Sequence, residues 1–186
     1  MEAPELERLR AALQRPLPGH DSFLELSGYK RPDIERARRA DPPPRESAVM
    51  ILLHEQDDAL HTLLMLRPDY DGVHGGQVSF PGGKREPEDL DLSATALREF
   101  YEETGANDTV VELLGAITPI YIPPSRMLVT PVVGHARRLG ALSPDPREVA
   151  QLIHTPLAAL MSDEILKRRE QYIHLMGGPV EIPYFD

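Results

Sequence analysis

Residues 82–106 read GGKREPEDLDLSATALREFYEETGA. The stretch changes character midway. Glycines, a proline and acidic residues run to Asp91, and apolar residues at helical spacing then run to Gly105. The spacing predicts a helix over 93–104, with Ser93 as N-cap and Gly105 as stop signal. On a wheel of about 100° per residue, Glu102 and Glu103 fall roughly 60° behind and 40° ahead of Glu99. Leu97, Phe100 and Thr104 take the opposite side, so the helix has a packing face and an acidic face. An acidic face is ordinarily a solvated one. Three carboxylates late in a helix, however, repel one another and meet the negative end of its dipole, at a cost of a few tenths of a kcal/mol each. A hard divalent cation such as Mg²⁺ or Mn²⁺ reverses that cost. Gly82 and Gly83 just upstream offer carbonyls free of side-chain shielding, and Arg98, at i,i+4 from Glu102, can hold a carboxylate in orientation.

Working outward, residues 47–54 form an apolar run bounded by charge and read as a buried strand, with 62–67 as its hairpin partner across a turn at 56–59. Residues 68–84 hold five glycines and read as a loop that lets backbone approach a ligand. Further strands are predicted at 110–117 and 128–136, with a proline-bounded link, 119–124, between them. A short helix is expected over 155–162, begun by Pro156 and continuing brokenly to Glu170. Residues 172–176 and 180–184 read as a terminal hairpin around Gly177-Gly178-Pro179. Leu6, Leu9 and Leu13 give an amphipathic helix over 4–15. Residues 1–46 are therefore read as an N-terminal helix and irregular arm, and 47–186 as the functional domain. Strands, a central helix, strands, a helix and strands in that order predict a mixed sheet with helices on its faces.

A chain of 186 residues has room for one domain of ordinary size. With 41% hydrophobic and 27% charged residues it is neither a disordered chain nor a membrane protein in composition. The net charge of −10 argues against nucleic-acid or anionic-membrane partners, which require a basic face. The absence of cysteine excludes disulfides, a thiolate nucleophile and Cys-ligated metals. Acidic residues occupy the start of the chain where a signal peptide carries basic ones, so a cytoplasmic setting is expected. His54, His61, His74, His135, His154 and His174 show no HExxH or short paired spacing and read as scattered strand or surface residues. Ser79 lies in no G-x-S-x-G elbow.

The opening stretch resembles the Nudix box, G-x5-E-x7-R-E-U-x-E-E-x-G-U, where U is a bulky aliphatic residue. Arg98, Glu99, Phe100, Glu102, Glu103 and Gly105 stand where its second half requires. The span from Gly83 to Arg98 is one residue longer than the general pattern, so its first acidic position falls on Glu88 or Asp89, and Ala106 takes the last apolar position. Leu63-Leu64-Met65-Leu66-Arg67 and residues 76–83, GQVSFPGG, are similar to the additional motif of the coenzyme A pyrophosphatase branch. Met65, Pro68 and Gly72 replace that motif's threonine, serine and second arginine.

The resemblance covers Ser47 to about Tyr184. It implies an α/β fold, a Nudix-type α/β/α sandwich with a mixed β-sheet and a central catalytic loop-helix-loop. It further implies metal-dependent hydrolysis of the pyrophosphate of coenzyme A or acyl-CoA, giving 3′,5′-ADP and (acyl-)4′-phosphopantetheine. The alternatives are another nucleoside diphosphate derivative (ADP-ribose, NADH or a nucleoside triphosphate) and a non-catalytic binding module. Mg²⁺ or Mn²⁺ is expected on Glu99, Glu102, Glu103 and the carbonyl of Gly83. Glu103, Glu102 and Arg98 are the expected catalytic residues, with Glu103 as base and Glu148 as an alternative base. Arg67, Gln77 and Lys84 are the expected phosphate contacts. The partner is a small-molecule nucleotide, and family habit adds a homodimer that covers the exposed last strand.

Overall fold

The computed structural model describes residues 3–17, 19, 34–69, 76–173 and 177–185. The expectations placed on His74, on Gly72 and on His174 lie outside these residues.

The hydrophobic run that reads as a buried strand is the centre of the sheet. Strand β1 (Arg45–Gln56) pairs antiparallel with β2 (Ala59–Leu66) and parallel with β7 (Met127–Ala136). Asp57 and Asp58 make the turn between β1 and β2 with positive φ, a conformation short polar side chains tolerate. Outside these, β3 (Val78–Ser79) and β8 (Gln151–Pro156) pair with β2. The short β4 (Gly82–Lys84) pairs with the start of β1, and β5 (Glu112–Ala116) and β6 (Ile120–Ile122) pair with β7. One parallel pair among antiparallel ones makes the sheet mixed, as expected.

Period-2 alternation along β1 sends successive side chains to opposite faces. Ala48, Met50 and Leu52 join Leu63, Ala96, Phe100 and Val132 in one core, beneath helix α3 (Leu92–Thr104). Leu53, Leu114 and Val133 form the second core on the other face, under Leu6, Leu9 and Leu13 of α1 (Ala3–Leu13). The sheet is thus sandwiched between helices. The short α2 (Ile34–Arg38) and α4 (Leu157–Leu160) complete the helices among the described residues. None of these helices is long and apolar enough to cross a membrane.

Four sequence expectations are corrected. The N-cap of α3 is Asp91, whose carboxylate accepts from Ala94 N at 2.8 Å, rather than Ser93. Residues 120–122, read as part of a link, form a strand because the backbone lies against the free edge of β7. Residues 151–156 are strand and only 157–160 are helix. Where a broken helix to Glu170 was expected, β9 (Leu166–Ile173) pairs along its whole length with β10 (Gly178–Phe185) in a separate two-stranded sheet.

Candidate functional site

Gly105 ends α3 in the left-handed conformation, φ 65°, and its N–H donates to Tyr101 O at 2.9 Å. With Phe100 and Thr104 fully buried as the packing face, the carboxylates one position along are carried to the β1–β4 end of the sheet. They do not share one environment. Glu103 is buried, Glu99 is half-buried and Glu102 is exposed.

Arg98 is the hub of the site. Its Nε and Nη2 donate to the two oxygens of Asp89 at 3.1 and 3.0 Å, a bidentate contact. Nη1 donates to Glu99 Oε1 at 2.9 Å and to Glu102 Oε2 at 3.0 Å, and Nη2 also reaches Lys84 O at 2.9 Å. Asp89 further accepts from Glu86 N and Thr95 Oγ1, both at 2.9 Å. The Arg98 guanidinium holds the Asp89 carboxyl well below the usual carboxylate range. Of the two acidic residues that share the first box position, Asp89 is buried against Arg98 and Glu88 is exposed. The extra residue in the spacing lets the loop bring the shorter aspartate side chain home.

Glu103 accepts from Gly82 N at 2.7 Å and from Arg67 Nη2 at 3.2 Å. Burial nevertheless pushes its carboxyl up to about 7, against the pull of those two donors. Glu99 is also raised, mainly by burial.

A cleft of about 580 Å³ opens between α3, β4 and the β6–β7 wall. Of the sequence-predicted site residues, Glu99, Glu103, Gly83, Lys84, Arg67 and Gln77 line it together. Arg98 and Glu102 stand behind, reaching it through Glu99. Glu148 is not among the lining residues. It is exposed on a turn where its N–H donates to Asp145 O, and the same loop is tied to β2 by Ala150 N donating to Leu66 O. Sequence reasoning missed Glu86, which lines the cleft and lies 3.9 Å from Arg98. It also missed the apolar wall of Ile122, Met127 and Val129. The signal for Glu86 was its place three residues after Gly83.

The residues present fit a hard divalent ion. Their donors are carboxylate oxygens and backbone carbonyls, and Arg98 engages only one oxygen each of Glu99 and Glu102. At Gly83 a Cβ would overlap the Glu99 carboxylate, so only glycine leaves that approach open. Among the described residues no three His, Asp or Glu side chains stand already converged for an ion, since Arg67 and Arg98 hold the carboxylates as internal counter-ions.

A helix thus presents buried and half-buried glutamates to a glycine turn, braced by one arginine and carried on a mixed sheet between helices. A family model of the NUDIX domain matches residues 44–176, and the chain belongs to that family. It is 36% identical over 146 residues to Nudix hydrolase 15, mitochondrial, of Arabidopsis thaliana, covering 77% of this chain and 50% of that protein. It is 32% identical over 142 residues to the peroxisomal coenzyme A diphosphatase NUDT7 of Mus musculus, covering 73% and 60%. The chain thus spans about half the length of the curated relatives it matches. Among solved structures, a Nudix hydrolase from M. smegmatis, RenU, superposes with a TM-score of 0.51 at 21% identity, covering 63% of this chain and 74% of that one. That likeness supports the fold.

The histidines are corrected here as well. Three of those read as scattered, His54, His61 and His154, are gathered on neighbouring strands.

Proposed function

We propose that this chain is a metal-dependent pyrophosphatase that hydrolyses coenzyme A or an acyl-CoA to 3′,5′-ADP and (acyl-)4′-phosphopantetheine. The observation that carries the reading is the convergence of Glu99, Glu103 and Gly83 with Arg67, Gln77 and Lys84 on one cleft. Acidic groups and donors for phosphate line the same cleft, and Arg67 touches Glu103 within it. The cleft volume falls in the range usual for small-molecule sites. The 63–67 and 76–83 motifs and the likeness to a protein named as a coenzyme A diphosphatase support this substrate over other nucleotides.

Glu99, Glu102 and Glu103, with the Gly83 carbonyl, would hold Mg²⁺ or Mn²⁺. When bound, such an ion neutralises the diphosphate and acidifies water. Glu103 accepts the proton of the attacking water at Oε1, the oxygen that now faces Arg67. Arg98 fixes Glu99 and Glu102 and does not touch substrate. Arg67, Gln77 and Lys84 grip phosphate oxygens, and Ile122, Met127 and Val129 give the adenine or pantetheine portion an apolar wall. The P–O bond of the bridging oxygen breaks as water adds, so one water is consumed per molecule cleaved.

Incubation with Mg²⁺ or Mn²⁺ and a panel of coenzyme A, acyl-CoA, ADP-ribose and NADH tests the reading. Release of 3′,5′-ADP from the CoA compounds alone supports it. Cleavage of the others moves the substrate assignment, and binding without products makes the chain a binding module. Glu103→Gln should lose nearly all turnover, on the order of 10³-fold, with an unchanged far-UV CD spectrum. Wild-type turnover in that variant refutes its role.

The β9–β10 hairpin forms a sheet of its own and exposes Tyr172 and Phe185. We include a homodimer that covers this hairpin in the proposal, with light scattering of the full chain as its test. A cytoplasmic setting is likewise kept as a reading of the composition.

A further inference from the structure

A recess of about 430 Å³ adjoins the cleft on its β1–β4 side, with Lys84 and Glu86 lining both. Its other walls are Arg45, Glu46, Arg85 and Pro87. Arginine and lysine are gathered here in a chain whose net charge is −10. An acidic protein repels a polyanion at a distance, so attraction has to be local. The charges of the recess do not all cancel. Glu46 is held by Arg85 at 2.9 Å, and Arg85 also donates to Asp89 O and Leu90 O, which ties it into the loop before α3. Glu86 lies 3.9 Å from Arg98. Among the described residues, neither Arg45 nor Lys84 has a carboxylate partner.

Strand register places these two cations beside the cleft. Residues directly opposite one another on paired strands point to the same face. Lys84, Ser47 and Val129 therefore form one row across the sheet, and Arg45 and Met127 form the next. Ser47, Met127 and Val129 line the cleft, so Arg45 continues that wall and brings charge where it stops being apolar. The guanidinium is anchored there. Its Nη2 donates to Ser125 O at 2.7 Å, and Ser125 also lines the cleft. Arg45 Nε and Nη1 have no partner among the described residues, and they form the fork that suits phosphate oxygens. Arg45 lies three residues along β1 from Ala48, the partner of Gly83, a distance of about 10 Å. That is the scale of one nucleoside, measured from the place where the Glu99 carboxylate packs against Gly83.

We propose that Arg45, together with Lys84, forms a subsite for a phosphate monoester on the ribose of the nucleotide, the 3′-phosphate in coenzyme A. The proposal rests on the pyrophosphatase reading above and adds which end of the substrate lies where. The adenosine half lies along Met127 and Val129, its ribose phosphate meets Arg45, and the pantetheine half runs across the cleft toward Arg67 and Gln77. Lys84 stands between the two phosphate positions and serves both. A phosphate monoester carries about −1.5 to −2 charges near neutral pH, which one arginine and one lysine balance. Nucleotides without that phosphate, such as ADP-ribose and NADH, leave Arg45 with no anion to hold. Arg45 is thus a specificity-determining residue: it contributes to binding one class of nucleotide and nothing to the other.

The test is calorimetric titration of the full chain, in Mg²⁺, with 5′-AMP, 3′,5′-ADP and 2′,5′-ADP. Wild type should bind 3′,5′-ADP about tenfold or more tightly than 5′-AMP. Arg45→Gln should shrink that ratio to within about twofold, with the far-UV CD spectrum and Tm near wild type, and Arg45→Lys should keep part of it. Lys84→Gln supplies a second variant should the first fail to fold, and it should shrink the same ratio. Equal wild-type affinity for 5′-AMP and 3′,5′-ADP, or a ratio that Arg45→Gln leaves unchanged, would overturn the proposal. Turnover separates the subsite from the substrate reading. If coenzyme A is cleaved no better than dephospho-CoA, the subsite falls and the pyrophosphatase stands. If coenzyme A is not cleaved while the ratio still depends on Arg45, or if 2′,5′-ADP binds best through Arg45, the coenzyme A reading falls and the subsite stands.

Discussion

Asp89 and Gly83 each make a claim that a single substitution can check. Asp89 is buried, and its carboxylate takes four hydrogen bonds, two of them from Arg98. Asp89→Ala therefore leaves a largely buried guanidinium without its main counter-ion. It should lower stability by about 2–4 kcal/mol in urea denaturation. Glu88→Ala next door, at an exposed position, should fall within about 0.5 kcal/mol of wild type. The reverse order would mean that the box's first acidic position belongs to Glu88. Gly83→Ala tests the other side of the site. The added methyl would meet the Glu99 carboxylate, a side chain that can swing aside, so the fold should survive with Tm within a few degrees. Mn²⁺ affinity should nevertheless fall about tenfold or more, read by electron paramagnetic resonance without any substrate present.

The start of α3 shows how far the sequence could be read. Ser93 and Asp91 are both good caps by residue type, and the choice turned on whether Leu92 is helical. It is, because Asp91 reaches Ala94 N while Leu92 packs against the core. Asp91→Ala should cost about 1 kcal/mol, and Ser93→Ala much less, in the same urea assay. The hydrophobic periods of β1 and α3, and the stop at Gly105, were legible because each depends on local spacing alone. Strand β6 and the 151–156 strand were not, because a short or proline-bounded segment becomes strand only when a neighbour with a free edge lies beside it. Strand β9, with Lys167, Arg168 and Arg169 in sequence, has no apolar alternation and is defined by its partner β10. At the site, Glu99, Glu103 and Arg98 followed from the helix wheel, while the burial that separates Glu103 from Glu102 is a property of the β4 edge and lies outside any helical period. The histidine cluster was half legible: a turn centred on Asp57 and Asp58 dictates that His54 faces His61, whereas the arrival of His154 depends on the long path to β8.

The pH dependence of folding combines two buried groups at opposite ends of β1, and their signs differ. His54 titrates near 4 in the folded chain against 6.5 when unfolded, because burial and the neighbouring His154 and His61 disfavour its charge. The unfolded chain thus binds more protons between those values, and the contribution of His54, present above about 6.5, is lost as pH falls to about 4. Glu103 runs the other way. Its folded value of about 7 lies above 4.5 in the unfolded chain, so the folded state takes up the proton first, and acidification from 7 to 4.5 stabilises. Each window is about 2.5 units wide, an upper limit of about 3 kcal/mol apiece. In chelator the two terms oppose each other, so wild-type stability should change less between about pH 7 and 4.5 than that of either single variant. Single variants remove the balance. His54→Leu should become more stable as pH falls through this window, Glu103→Gln should become less stable, and the double variant should lie between the two. Urea midpoints at half-unit pH steps would show this directly. Parallel slopes in the two single variants would mean that at least one of these groups is not buried uncharged in the way the fold requires. Below pH 4 all four proteins should lose stability together, as the Asp89 carboxylate is forced to accept a proton and releases Arg98.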